Sequence, residues 1–100
     1  MIQTTVIRYR TRPDAGDENA RLVAAVYAAL AELKPSDFAY ATYRLADGVT
    51  FIHVARLDAK ENPLAKLPAF VEFQRELEQR CVEQPAPSPA TVVGSYGWPS

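Results

Sequence analysis

Residues 38–57 read Phe38-Ala39-Tyr40-Ala41-Thr42-Tyr43-Arg44-Leu45-Ala46-Asp47-Gly48-Val49-Thr50-Phe51-Ile52-His53-Val54-Ala55-Arg56-Leu57, and this stretch decides the fold. Two alternating segments, Phe38 to Ala46 and Val49 to Leu57, flank Asp47-Gly48. Asp-Gly between such segments predicts a hairpin with a two-residue type I′ turn, because that turn needs positive φ at both central residues. The turn pairs Ala46 with Val49 and, stepping outward, Arg44 with Phe51, Thr42 with His53 and Tyr40 with Ala55. Side chains alternate in face along a strand. One face therefore carries Ala41, Tyr43, Leu45, Ile52 and Val54. The other carries Tyr40, Thr42, Arg44, Phe51, His53 and Ala55. The aliphatic set is expected under the helices, and the mixed aromatic and polar set on an open face.

Outward from the hairpin, Ile2 to Arg12 is rich in β-branched residues and predicts a strand. Pro13 to Asp17 is turn chemistry, and Asp17 is a candidate cap. Leu22, Val23, Val26, Leu30 and Leu33 recur at helical spacing, which predicts a helix over Glu18–Leu33 that Lys34-Pro35 ends. Beyond the hairpin, Asp58 to Asn62 is a turn and Pro63 opens a second helix running to about Glu83. Leu67, Phe70, Phe73, Leu77 and Cys81 mark its buried stripe. Gln84 to Pro89 is expected as an extended connector outside any ladder, Ala90 to Gly97 as the last strand, and Trp98-Pro99-Ser100 as a tail. The order β-α-β-β-α-β predicts an α+β, ferredoxin-like domain over residues 1–100: a four-stranded antiparallel sheet with two helices on one face. An open face bearing Phe51 and Tyr40 is too apolar for water. A homodimer that closes two such sheets into an α+β barrel is the expected solution.

Composition narrows the function classes. Apolar residues make up 48% of the 100 and charged residues 23%, which fits a globule and not a disordered chain. The formal net charge of −1 lacks the basic excess of a nucleic-acid binder. The third strand also lacks the stacking-aromatic pattern of an RNA-binding domain of this fold. No segment is long and apolar enough for a membrane helix or a signal peptide, so a cytoplasmic protein is expected. The lone cysteine, Cys81, cannot form an internal disulfide and reads as a small packing residue. One histidine and one cysteine far apart make no metal set, and the four glycines form no phosphate loop; no cofactor is expected.

His53 is the sole histidine and the one candidate for general acid–base work. Its alternative is a structural histidine at the dimer interface. Tyr40, Thr42, Arg44 and Phe51 share its face and, with Arg8 from the first strand, form the candidate ligand-binding set. In that strand Thr5, Ile7 and Tyr9 are expected in the core, with Val6 and Arg8 toward the barrel cavity. Arg8, Arg10 and Arg12 share one face, either as an anion clamp or as a solvated row paired with acidic residues.

Three stretches carry a resemblance: Arg10-Thr11-Arg12-Pro13, Thr50 to Arg56, and Leu67-Pro68-Ala69-Phe70-Val71-Glu72-Phe73. Together they resemble the dimeric α+β barrel superfamily, and within it the antibiotic biosynthesis monooxygenase-like group. Where that group often carries histidine, this chain has Ala69 and Lys66; where many members have glutamate, it has Ala55. The resemblance implies a homodimer that binds a small aromatic or apolar molecule in the barrel cavity and acts as a cofactor-independent monooxygenase. The alternative is a non-catalytic stress-response or ligand-sensing barrel.

Overall fold

The computed structural model describes residues 2–58 and 61–97; the expected Trp98 tail lies outside the described residues. Strand β1 (Gln3–Thr11) leads into helix α1 (Gly16–Leu33). The hairpin follows as β2 (Phe38–Arg44) and β3 (Thr50–Leu57). A 3-10 turn (Pro63–Lys66), α2 (Pro68–Arg75) and α3 (Leu77–Arg80) precede β4 (Cys81–Ala90). The sheet order is β2-β3-β1-β4, and every neighbouring pair is antiparallel. This is the expected ferredoxin-like arrangement, with the helices on one face of the sheet.

The hairpin register is the expected one: Arg44 faces Phe51, Thr42 faces His53 and Tyr40 faces Ala55. The turn is not type I′. Gly48 has φ 77, but Asp47 does not share the positive φ that type requires. The Asp47 carboxylate instead accepts the backbone N–H groups of Val49 and Thr50 and the Thr50 hydroxyl. Those bonds hold its pKa down at about 2 and replace the tight backbone turn. Gly16 is needed for a different reason. A Cβ there would collide with the Gly48 carbonyl, so its bareness lets α1 dock on the hairpin loop. Arg44 completes that junction, donating to the Gly48 carbonyl and to Asp17. Asp17 is therefore not the cap; the N-cap is Ala15, with no side-chain bond.

The second helix is broken into three pieces. Pro68 has no N–H and fits only a first turn, so it starts α2. Glu76 leaves helical geometry at φ −125, and α3 ends at Arg80, where Cys81 begins to pair with Thr11 of β1. The last strand is also displaced. Gln84 to Pro89, expected outside any ladder, lies within β4, whereas residues 91–97 lie in no regular element and are exposed. The physical reason is parity. Pro85, Pro87 and Pro89 all occupy alternate positions, and on an edge strand alternate N–H groups point away from the sheet. Ala86, Ser88 and Ala90 keep their N–H groups for β1. The three prolines lack theirs only along the free edge.

The faces of the hairpin are reversed from expectation. Tyr9, Val23, Val26, Phe51, Leu64, Leu67, Phe73 and Leu77 form the buried core, with Tyr40 packed against it and His53 3% exposed beside it. The pairs Tyr9–Phe51 and Ile7–His53 put the mixed aromatic and polar set on the helix side. The aliphatic set of Ala41, Tyr43, Ile52 and Val54 faces outward with Val6 and Arg8. Thr5, Ile7 and Tyr9 do point toward the helices, as expected. Polar groups survive under the helices because each has a partner; no buried side-chain nitrogen or oxygen among the described residues lacks one.

Candidate functional site

Between the helix side of the sheet and the segment from Asn62 to Leu77 lies a cavity of about 520 Å³. β1 contributes Ile7 and Tyr9, β2 contributes Phe38 and Tyr40, and β3 contributes His53 and Ala55. Leu64, Phe70, Phe73 and Leu77 form the opposite wall, and Pro85 and Pro87 of β4 close one side. Six of these residues carry rings that pack on one another. Tyr9 stacks on His53 with centroids 5.3 Å apart, Phe38 stacks on Tyr40 at 5.7 Å, and Phe73 tilts against His53 at 5.7 Å. Such walls suit a flat, largely apolar molecule. Among the described residues, no Asp, Glu, Lys or Arg lines the cavity.

A chain of hydrogen bonds runs behind this wall. Arg80, 5% exposed, donates from Nε to Asn19 Oδ1 at 3.2 Å and from Nη2 to the Phe73 carbonyl at 2.7 Å. Its guanidinium also lies 5.5 Å from the centre of the Phe73 ring. Asn19 Nδ2 donates to Tyr9 Oη at 2.8 Å, and Tyr9 Oη lies 2.8 Å from His53 Nε2. On the other side of the imidazole, Nδ1 lies 2.7 Å from Tyr40 Oη and 3.0 Å from Thr42 Oγ1. Tyr27 Oη completes the run 2.8 Å from Thr42 Oγ1. Burial pushes the hydroxyls of Tyr9 and Tyr40 well above the usual tyrosine range, so both keep their protons at neutral pH. Burial also lowers His53 to about 4, which leaves the imidazole neutral.

The structure thus gathers Tyr40, Thr42 and His53 at one place and separates the rest of the candidate set. His53 lines a cavity, but one that lies under the helices, not on the open face. Phe51 is 1% exposed and stacks on Tyr9 at 5.6 Å, deeper in the core. Arg44 sits at the sheet rim with its guanidinium 5.7 Å from the Phe51 ring centre. Arg8 is exposed on the outer face, opposite Ile52, so the sheet separates it from the cavity. Its row neighbours pair elsewhere, Arg10 with Glu83 and Arg12 with Asp14. Cys81 is half-buried against the core, and burial raises its thiol pKa. Asn19, Arg80 and Tyr27 were not foreseen. Asn19 carried one signal: it lies on the buried stripe Gly16-Asn19-Val23-Val26, where an amide must find partners.

No helix among the described residues is long and apolar enough to cross a membrane, and no group of three metal-ligating side chains occurs among them. No family model matches the sequence, and no curated protein does. Solved structures match its shape. A putative antibiotic biosynthesis monooxygenase from Nitrosomonas europaea superposes with a TM-score of 0.75 at 9% identity, over 96% of this chain and 94% of that one. Rv0793 from Mycobacterium tuberculosis gives 0.72 at 16% identity, over 95% and 98%. A variant of SnoaB, a cofactor-independent oxygenase from Streptomyces nogalater, gives 0.68 at 16% identity, over 97% and 98%. The chain has the fold of these antibiotic biosynthesis monooxygenase-like proteins.

Proposed function

We propose that this protein binds a small aromatic or apolar molecule in the cavity beside Tyr40 and His53, and oxidises it as a cofactor-independent monooxygenase. The cavity carries the reading: it is large enough for a small polycyclic molecule and walled mainly by rings and aliphatic side chains. The likeness in fold to a cofactor-independent oxygenase supports the reaction class. In such a reaction the substrate supplies the electrons. An activated methylene beside an aromatic carbonyl reacts with dioxygen; one oxygen atom becomes the new carbonyl and the other leaves as water with the two methylene hydrogens. The protein's part is to hold the reactive carbon in a dry enclosure and offer hydrogen bonds to the developing negative charge.

We also propose a homodimer. Val6, Ala41, Ile52 and Val54 share the outer sheet face with Tyr43, 43% exposed, and two further apolar side chains of residues 91–97, Val93 and Tyr96, are almost wholly exposed. A second copy covering this face would bury the roughly 1,600 Å² typical of a stable interface.

Oxygen uptake tests the reaction. Aryl ketones bearing an activated methylene, added to the purified protein, should consume dioxygen faster than buffer alone, with one equivalent of the new carbonyl formed. Binding without uptake across that class would favour the ligand-sensing alternative. One observation already favours it: every nitrogen of His53 is engaged by a protein partner, which leaves the cavity no free imidazole nitrogen to act as a base. For the dimer, a monomer by light scattering at micromolar concentration would overturn the proposal.

A further inference from the structure

We infer that Arg80, acting through Asn19, Tyr9 and His53, turns the Tyr40 hydroxyl proton toward the cavity, so that the site selects an uncharged molecule with a carbonyl-type acceptor. The inference deepens the reading of the cavity as the ligand site and rests on it. Its basis is the direction of each hydrogen bond. Guanidinium can only donate. Arg80 Nε therefore requires the oxygen of the Asn19 amide, and the amide nitrogen must face Tyr9. Tyr9 Oη accepts that N–H, and its own proton is left for His53 Nε2. Nε2 is then the acceptor nitrogen of the neutral ring, and the single ring proton sits on Nδ1. Nδ1–H donates to Tyr40 Oη, the nearer partner at 2.7 Å, with Thr42 Oγ1 at 3.0 Å sharing it. Thr42 has Tyr27 as its further partner. Tyr40 cannot donate back to a protonated nitrogen; its other neighbour, Thr42 Oγ1, is engaged by His53 Nδ1 and Tyr27, and the Tyr40 ring lines the cavity, so its proton is offered there.

The chain is directional because one end cannot reverse. Tyr, Thr and His can each donate or accept, but Arg80 cannot accept. Arg80 and Asn19 are thus positioning residues: neither lines the cavity, yet together they decide what Tyr40 offers to a bound molecule. A carbonyl oxygen completes the chain. A carboxylate would lose its hydration in a cavity whose lining, among the described residues, holds no formal charge, only the neutral donors of Tyr40, Thr5, Gln3, Asn62 and Gln74.

The variant Asn19→Asp reverses the chain with almost no change in shape. One carboxylate oxygen accepts Arg80 Nε–H, and the guanidinium keeps the group ionised. The other oxygen can only accept, so Tyr9 must donate to it. His53 then donates from Nε2 to Tyr9, Nδ1 becomes the acceptor, and Tyr40 turns its proton onto Nδ1. His53 is the single histidine, so long-range proton–nitrogen correlation spectra of the ring report its tautomer without assignment. At pH 7 the wild type should show Nδ1–H and Asn19→Asp should show Nε2–H. Binding is read with 9-fluorenone and fluorene-9-carboxylate. The wild type should prefer the ketone at least tenfold. Tyr40→Phe and Asn19→Asp should each weaken the ketone about tenfold while keeping the wild-type circular dichroism. An Nε2–H tautomer in the wild type overturns the inference. So does equal affinity for ketone and acid, or undiminished ketone binding by Tyr40→Phe. Absence of binding by both compounds, with Nδ1–H in place, refutes the ligand site on which the inference rests.

Discussion

Acid should destabilise this protein through its single histidine, and the size of the effect follows from the burial of His53. The folded ring titrates at about 4, because burial removes the water that would solvate an imidazolium. In the unfolded chain the same group returns to about 6.5. Between those two values the unfolded state holds a proton that the native state refuses, so unfolding gains as pH falls. The contribution is fully present above about pH 6.5 and lost by about pH 4. At 1.36 kcal/mol per pH unit this is about 3 kcal/mol, a large share of the ~5–15 kcal/mol that holds a domain folded. Protonation has a second cost in the same direction. Nε2 accepts from Tyr9, and an added proton there would point one donor at another. The measurement is urea unfolding of the wild type and His53→Gln at half-unit steps from pH 7 to 4, at one protomer concentration. The glutamine variant should be less stable at pH 7, having lost part of the network. The wild type should then lose about 3 kcal/mol more than the variant as pH falls, since the carboxylates titrate alike in both. Parallel curves between pH 6.5 and 4 would refute the account of His53 as a neutral buried ring.

Two backbone predictions follow from the same structure. Gly48→Val should cost about 1–2 kcal/mol, because Gly48 sits at φ 77, where a β-branched residue is strained; calorimetry should show Tm lowered by several degrees, and an unchanged Tm would remove the argument. Ser88→Pro should destabilise by about 1–3 kcal/mol by deleting a donor aimed at β1, whereas Pro89→Ala, on the free-edge parity, should change stability by less than about 1 kcal/mol; equal effects in thermal melts would show that the proline parity is misread.

The element order, the hairpin register and the packing of the helices on one face were legible from hydrophobic period and turn chemistry. What escaped was set by partners distant in sequence. Proline counted against Gln84 to Pro89 as strand because a proline removes a ladder donor. Whether that donor is needed depends on which side of the strand has a neighbour, and only the sheet order shows it. The second helix kept one apolar stripe through Leu77 and Cys81, so its period continued past the point where pairing of Cys81 with Thr11 takes the chain into the sheet. The Asp47-Gly48 turn was found, but the Asp47 carboxylate, not backbone alone, organises it.

The reversed faces of the hairpin link the candidate site to the proposed dimer. Counting apolar side chains favours burying Ala41, Tyr43, Ile52 and Val54 over Tyr40, Thr42 and His53. That count omits the groups α1 and α3 bring to the sheet: Tyr27 for Thr42, Asn19 for Tyr9, and Arg80 for Asn19. Once each polar atom has a partner, its burial penalty largely disappears, and the larger rings of Tyr9, Tyr40 and Phe51 fill the core. The aliphatic set must then face outward, since side chains alternate along each strand. An outer face centred on Val6, Ala41, Ile52 and Val54, with Arg8 and Tyr43 beside them, is largely apolar and gives its own reason for a second subunit. The same alternation that encloses the histidine network therefore creates the surface through which two copies would associate. A substitution such as Ile52→Asp should weaken association and leave the tautomer of His53 unchanged.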